Sequence, residues 1–159
     1  MQPPSVPPSR DLRFRVRLRT RWSDEDNHAV LNNAVHSTLL EEARYAYFSN
    51  LGLVAENRFP FLLLQTNIRF LAPGRGGCEA VVEMGTTHLG RKSFTQAYRI
   101  LAGEGGEVWC EAEAVLVAWD GATGRSAPMS EEFRRRVEEF ERTEGKGRRE
   151  AGDRGRVTA

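Results

Sequence analysis

Three carboxylates stand side by side at Asp24, Glu25 and Asp26, within the run Arg21-Trp-Ser-Asp-Glu-Asp-Asn-His-Ala-Val-Leu-Asn-Asn33. A helix-periodic stretch begins immediately after this run, so the acids precede a helix start by about two turns of chain. Carboxylates in that neighbourhood commonly serve as caps or answer the helix dipole. These lie too far from the first helical turn for simple capping. The residues between, Ala29, Val30 and Leu31, are apolar and call for packing, which would hold a carboxylate near the free N–H groups of the helix start. That pairing suits acyl transfer. The N–H groups can polarise a carbonyl and stabilise an oxyanion. The carboxylate can attack the carbonyl or activate a water. A thioester suits such a site because a thiolate departs without needing a proton.

Other chemistries lack their residues. The chain contains no Gly-x-x-x-x-Gly-Lys-[Ser/Thr] phosphate loop, no Gly-x-Gly-x-x-Gly turn, no His-Glu-x-x-His helix and no Gly-x-Ser-x-Gly elbow. His28, His36 and His88 are scattered, so no metal site and no cofactor is expected. Cys78 and Cys110 provide neither a disulfide framework nor a metal cluster.

The elements that would position the acidic run are readable from periodicity. Leu12 to Trp22 alternates Leu12, Phe14, Val16 and Leu18 with Arg13, Arg15, Arg17 and Arg19, which predicts a strand with its arginines on a solvent face. Asn32 to Leu51 predicts a helix, capped by Asn32 or Asn33 and ended by Gly52 in a left-handed conformation. Its stripe of Val35, Leu39, Leu40, Ala43, Ala46, Tyr47, Phe48 and Leu51 is broad enough to predict burial over most of the circumference. Strands are expected over Phe61–Leu71, Glu79–Leu89, Ser93–Leu101 and Glu107–Trp119, with a turn at Gly103, Gly105 and Gly106. On the last strand Val108, Cys110, Ala112, Ala114, Leu116 and Ala118 share one face, small enough for a helix to lie close, which makes Cys110 a buried hydrophobe. A second, amphipathic helix is expected over Ser130–Phe140. One long helix and consecutive strands joined by short turns make an α+β fold with a mostly antiparallel sheet.

The ends differ from the middle. Residues 1–10 hold four of the seven prolines and read as disordered; residues 143–159 read as a disordered charged tail. Residues 11–142 are the expected domain. The whole chain carries +1, with 23 Lys+Arg against 22 Asp+Glu. Setting aside Arg10 and a tail of five cations and three acids leaves the domain at −2. No basic surplus points to nucleic acid. No apolar run approaches a membrane span, and the N-terminus lacks the apolar core of a signal peptide. A soluble, reduced, cytoplasmic protein is expected.

The segment Trp22-Ser-Asp24-Glu-Asp26-x-x-Ala29-Val30-Leu31-Asn32-Asn33, followed by Leu40-Glu-Glu-Ala-Arg44 and Leu51-Gly52, resembles the hotdog-fold thioesterases. It is most similar to the 4-hydroxybenzoyl-CoA thioesterase/acyl-CoA thioesterase branch. Phe70-Leu-Ala-Pro73, Gly90-Arg-Lys-Ser93-Phe94 and Pro128 match further landmarks of that family, so the resemblance spans roughly residues 12–140. It implies an antiparallel sheet wrapped around one long central helix, with a short C-terminal helix. It also implies pairing of protomers into a dimer or tetramer and an active site between protomers. The catalytic carboxylate it points to is Asp26, acting as base or nucleophile with helix-start N–H groups near Asn32 to Ala34 as the oxyanion site. Asn33 is implied as an assisting residue. Trp22, His36, Arg91, Lys92 and Ser93 are implied in binding an acyl-CoA, with Arg91 and Lys92 facing nucleotide phosphates. The motif glycine is replaced by Ala29, which is unfavourable if the backbone needs a positive φ there; the motif histidine is Val30, and the helix tyrosine is His36.

Two other readings share these residues: an acyl-carrier-protein thioesterase with the same chemistry, and a non-catalytic acyl-CoA-binding module. A hydratase needs a spaced Asp/His pair, and Ala29 stands five residues after Asp24 where it would be required.

Overall fold

The computed structural model describes residues 12–142. The Pro-rich stretch at 1–10 and the charged tail at 143–159 lie outside the described residues. In chain order the elements are β1 (Phe14–Arg19), a 3-10 turn (Trp22–Asp24), α1 (Asn33–Asn50), β2 (Phe61–Phe70), β3 (Glu79–Leu89), β4 (Ser93–Ala102), β5 (Val108–Asp120), β6 (Arg125–Ser126) and α2 (Glu131–Arg142). The strands form one antiparallel sheet in the order β1-β3-β4-β5-β2, with β6 on β5. β2 follows α1 in sequence yet lies at the sheet edge opposite β1, because the helix carries the chain across the sheet's inner face.

That inner face is built for close approach. Cys110, Ala112 and Ala114 of β5 are at most 1% exposed, and Leu39, Leu40, Ala43, Tyr47 and Phe48 of α1 pack onto the sheet. Small residues on the sheet let larger ones on the helix fill the space, which is how interiors reach their density. Burial pushes the Cys110 thiol up to about 12, so it is a packed hydrophobe, as its place in the alternation predicts. Trp109 joins Cys110 in the core although the two are adjacent in sequence. A register shift near β4's Ile100 and Leu101 breaks the alternation there and turns the indole inward.

Two expectations need correction. α1 is not buried nearly all round: Asn33, Ala34, Ser37, Thr38, Glu41 and Glu42 form an exposed stripe, since the sheet covers one side of the helix. Nor do all the β1 arginines face solvent. Arg15 is 6% exposed and paired with Glu83 and Glu104. Register places Arg15, Glu83, Arg99, Glu111 and Arg69 in one row across all five long strands. Alternating charge along a cross-strand row lets each guanidinium meet a carboxylate where a lone buried charge would be costly.

The ends of α1 are fixed by local chemistry. Asn32 is the N-cap, and its Oδ1 accepts from Ala34 N–H at 2.9 Å. At the other end Leu53 N–H donates to Phe48 O and Gly52 N–H to Ser49 O, with Gly52 at φ +68°. This is the left-handed stop expected of Gly52. α2 is held down by Glu141, whose Oε1 accepts from Tyr47 O–H and Thr86 N–H, both at 2.7 Å.

Candidate functional site

The acidic run folds into a tight loop, and each carboxylate has a different task. Asp24 is buried at 8% exposure. It accepts from Arg21 N–H at 2.7 Å and from the Arg21 guanidinium at 2.8 and 3.0 Å. Burial would raise its pKa, but the hydrogen bonds and charge of Arg21 outweigh that and hold it below the usual range. Glu25 accepts from Gly76 N–H at 2.9 Å, tying the loop to the segment after β2. Asp26 is half-buried, and its Oδ1 accepts from His28 N–H at 2.7 Å in an Asx turn. Asp24 has both oxygens taken by Arg21, whereas Glu25 and Asp26 each accept one backbone N–H and keep a second oxygen.

The backbone of this loop is closely tied. Asp26 N–H donates to Val30 O, Ala29 N–H to Asp26 O, Leu31 N–H to Gly74 O and Asn32 N–H to Asp24 O. Ala29 sits at φ 56°, so the residue at the motif's glycine position does adopt the left-handed conformation. An alanine there costs about 1 kcal/mol. Arg75 Nη1 donates to Ala29 O at 3.0 Å and so grips the strained peptide from outside.

Gly74, Arg75 and Gly76 therefore clamp the acidic loop, a role that sequence reasoning missed. A Cβ on Gly76 would overlap Arg21 O, so the backbones meet where only glycine fits. The pair of glycines flanking an arginine is the signal the sequence offers for this contact.

The helix start beside this loop has a distinctive hydrogen-bond pattern. Asn32 N–H, Ala34 N–H and Val35 N–H are taken by Asp24 O, Asn32 Oδ1 and Asn32 O. Among the described residues nothing accepts from Asn33 N–H. One turn on, His36 is 2% exposed. Its Nδ1 lies 3.3 Å from Asn32 O, its Nε2 is buried without a partner, and its ring meets Phe70 edge-on at 5.0 Å. Burial holds its pKa below the ordinary value, against the pull of the Asn32 carbonyl. Trp22 is 83% exposed on the 3-10 turn.

Arg91, Lys92 and Ser93 are elsewhere. Ser93 pairs with Val117, whereas the clamp lies beside Trp109, where Leu71 N–H donates to Trp109 O. Between Val117 and Cys110 run seven residues of β5, about 23 Å at roughly 3.3 Å per residue. The Arg91-Lys92 backbone is pinned by Met129 N–H on Arg91 O and Ala118 N–H on Lys92 O, leaving both side chains exposed. Beside it a cavity of about 180 Å³ is lined by Phe61, Phe94, Trp119, Met129 and Phe133 among others. Within one chain, Trp22, Asp26, Asn33 and His36 thus come together at one end of the sheet, and Arg91, Lys92 and Ser93 at the other. Among the described residues no group of three or more His, Cys, Asp or Glu is placed to hold a metal ion.

The family model of the thioesterase-like superfamily matches residues 20–137, spanning the acidic loop, the clamp and both ends of the sheet. The chain belongs to this superfamily. The α+β sheet around one long helix is the hotdog fold of this thioesterase-like superfamily. Among solved structures, a Thermus thermophilus thioesterase complexed with coenzyme A and Zn is 33% identical, with a TM-score of 0.70 over 80% of this chain and 93% of that one. A 1,4-dihydroxy-2-naphthoyl-CoA thioesterase from Synechocystis shares the fold at 20% identity and a TM-score of 0.70, over 78% of this chain and 94% of that one. Among curated proteins, an acyl-acyl carrier protein thioesterase of Arabidopsis thaliana is 29% identical over 72 residues, 43% of this chain. Those residues span only 38% of that relative's length. No helix among the described residues of this thioesterase-like chain is long and apolar enough to cross a membrane.

Proposed function

We propose that the chain is a cytoplasmic acyl-CoA thioesterase whose domain spans residues 11–142, with Asp26 as base or nucleophile. The observation that carries this reading is a half-buried Asp26 carboxylate on the tight loop that leads into the start of α1, where Asn33 N–H has no acceptor among the described residues. In the base route Asp26 takes a proton from water and the oxygen adds to the thioester carbonyl carbon. The carbonyl oxygen, now anionic, is held by Asn33 N–H and the positive end of α1. Collapse of that adduct expels the CoA thiolate. In the nucleophile route Asp26 adds to the carbonyl itself, the C–S bond breaks and the CoA thiolate leaves a mixed anhydride, and water then cleaves that anhydride to the free acid and the Asp26 carboxylate. Trp22 and His36 frame the acyl side.

The active unit is a homodimer in this proposal, or a tetramer built from such dimers. β2 is an edge strand whose Leu62, Leu63, Leu64 and Phe70, with Leu71 just after it, are 45–68% exposed. A long apolar edge invites pairing with another strand. If two copies join β2 to β2 about a two-fold axis, the Phe70 end of one strand lies beside the Phe61 end of the other. That brings Asp26 of one protomer towards the loop at 91–93 of its partner. Arg91 and Lys92 would then meet the nucleotide phosphates, with Ser93 at the turn below them.

The carrier-protein thioester remains a second reading, favoured by the partial match to the plant enzyme. Thiol release from a panel of acyl-CoA and acyl-carrier-protein substrates, run beside Asp26→Asn, tests both. The proposal expects turnover of acyl-CoA that Asp26→Asn abolishes while the fold is kept. Binding of acyl-CoA without thiol release would instead identify a non-catalytic module.

A further inference from the structure

We propose that Arg75 is a positioning residue for the reaction: it holds Ala29 in the left-handed conformation that sets the Asp26 carboxylate in place. This rests on the reading of Asp26 as base or nucleophile and names a group, outside the reacting atoms, on which Asp26 depends.

Residues 25–31 form a small hairpin. Glu25 and Leu31 pair across it, Asp26 N–H donates to Val30 O, and Ala29 N–H donates to Asp26 O. Asn27, His28 and Ala29 make its tip, and of these Ala29 alone has a positive φ, 56°. A three-residue tip of this kind closes with a left-handed residue, and glycine is the usual one. Asp26 stands at the base of the tip and is built into it. Its N–H, its carbonyl and its Oδ1, which accepts from His28 N–H at 2.7 Å, all bond within the hairpin. The direction of its carboxylate is therefore set by the turn, and the turn by the backbone of Ala29. Left-handed alanine is disfavoured by about fivefold to thirtyfold. Uncompensated, that bias would let residue 29 relax in a large share of chains, opening the turn and releasing Asp26.

Arg75 supplies the compensation. Its Nη1 donates to Ala29 O at 3.0 Å, a bond strengthened by the guanidinium charge. A right-handed or extended Ala29 would swing that carbonyl away, so the bond favours the left-handed state alone. Among the described residues this carbonyl is the one acceptor that the guanidinium meets. The side chain also starts from a fixed base. Thr20, 2% exposed, donates its hydroxyl to Arg75 O at 2.8 Å. On one side Gly74 O accepts from Leu31 N–H at 2.9 Å, and on the other Gly76 N–H donates to Glu25 Oε1 at 2.9 Å. The two neighbours thus hold the two arms of the hairpin while Arg75 reaches its tip.

The test is a double-variant cycle on the full chain: wild type, Arg75→Ala, Ala29→Gly and the two together. Each is assayed on a CoA thioester and on the same acyl group carried by N-acetylcysteamine, which has no nucleotide. Arg75→Ala should lower kcat about threefold to tenfold on both substrates, with KM within about twofold of wild type. Amide exchange at His28 N–H, which follows opening of the turn, should rise at least as much. Ala29→Gly removes the strain that Arg75 offsets, so the double variant should return to within about twofold of wild type in both readouts. A merely structural arginine would lower the melting temperature and leave kcat unmoved. Unchanged kcat or unchanged exchange in Arg75→Ala overturns the inference. A loss confined to KM for the CoA thioester also overturns it, making Arg75 a phosphate contact, as does a loss that Ala29→Gly leaves in place. If the wild type hydrolyses no thioester, yet His28 exchange rises in Arg75→Ala and returns in the double variant, the hold on Asp26 stands and the reaction assigned to Asp26 fails.

Discussion

The two ends of the sheet are built on opposite plans. At the Phe70 end a loop of three carboxylates is clamped by backbone contacts, Ala29 is held in a left-handed conformation, Asn33 N–H and His36 Nε2 have no partner among the described residues, and Trp22 stands in solvent. At the Phe61 end Phe48, Phe61, Phe94 and Phe133 form an aromatic cluster, Phe48 stacked on Phe133 and the other rings tilted or edge-on, a cavity opens beside it, and the exposed Arg91 and Lys92 sit on a firmly pinned backbone. One end has reactive groups and unmet hydrogen bonds; the other has apolar volume and cations. If the proposed dimer forms, these ends, some 23 Å apart by strand length within one chain, are two halves of a shared site. β2, which joins the two ends, is also the apolar edge at which a second copy could bring unlike ends together.

That comparison can be broken at several points. Asp26→Asn should lower kcat about a thousandfold, the scale of losing a general base or nucleophile, with the melting temperature little changed. Thiol-release kinetics and a thermal scan measure the two quantities. A variant that keeps its turnover would move the chemistry away from the Phe70 end. Leu63→Lys places a charge on the exposed edge of β2. Sedimentation should show the assembly dissociating, and activity at low protein concentration should fall tenfold or more, because each end loses its complement. Retained activity in a clean monomer would mean that one end suffices.

The double charge reversal Arg91→Glu, Lys92→Glu addresses the other end. KM for a CoA thioester should rise about tenfold, with kcat changed less, while a thioester lacking the nucleotide is unaffected. Equal effects on both substrates would mean that these cations do not meet the nucleotide. The smallest effect belongs to the strain. Ala29→Gly should stabilise the protein by about 0.5–1 kcal/mol, the left-handed penalty less the extra freedom of glycine in the unfolded chain. Chemical denaturation measures it. A destabilised variant would mean that the alanine methyl is packed and the strain compensated.

The fold was legible because periodicity and turn chemistry act locally. The Asn32 cap and the Gly52 stop are fixed by a few adjacent residues, and both were readable. Alternation on β5 correctly assigned Cys110, Ala112 and Ala114 to the inner face. It failed at Trp109, because a break in register depends on how β4 and β5 pair and leaves no mark in a single strand. Arg15 was placed in solvent for the same reason: its carboxylate partners, Glu83 and Glu104, lie 68 and 89 residues away.

The site was legible in part. The acidic run was visible as a cluster, but the task of each acid depends on Arg21 holding both oxygens of Asp24 and on Gly76 N–H reaching Glu25. A positive φ at Ala29 entered the sequence reading only as a condition, from the glycine that stands there in the resembled family, and the structure meets that condition. The clamp at Gly74 to Gly76 was not anticipated, because close backbone approach is a relation between distant segments. Nor does a sequence place Asp26 and Arg91 at opposite ends of a sheet, since that follows from the strand order.

The account's central claim is that the two ends act together across a pair of chains, and mixed dimers test it most directly. Asp26→Asn chains and Arg91→Glu, Lys92→Glu chains are unfolded together, refolded in equal amounts and assayed at low CoA-thioester concentration. If the site is shared, half the dimers are mixed and each mixed dimer carries one intact site, so activity returns to about a quarter of wild type. If each chain holds its whole site, the mixture shows no more than half the activity of the charge-reversed protein alone, about a twentieth of wild type for a tenfold defect, and the account is contradicted.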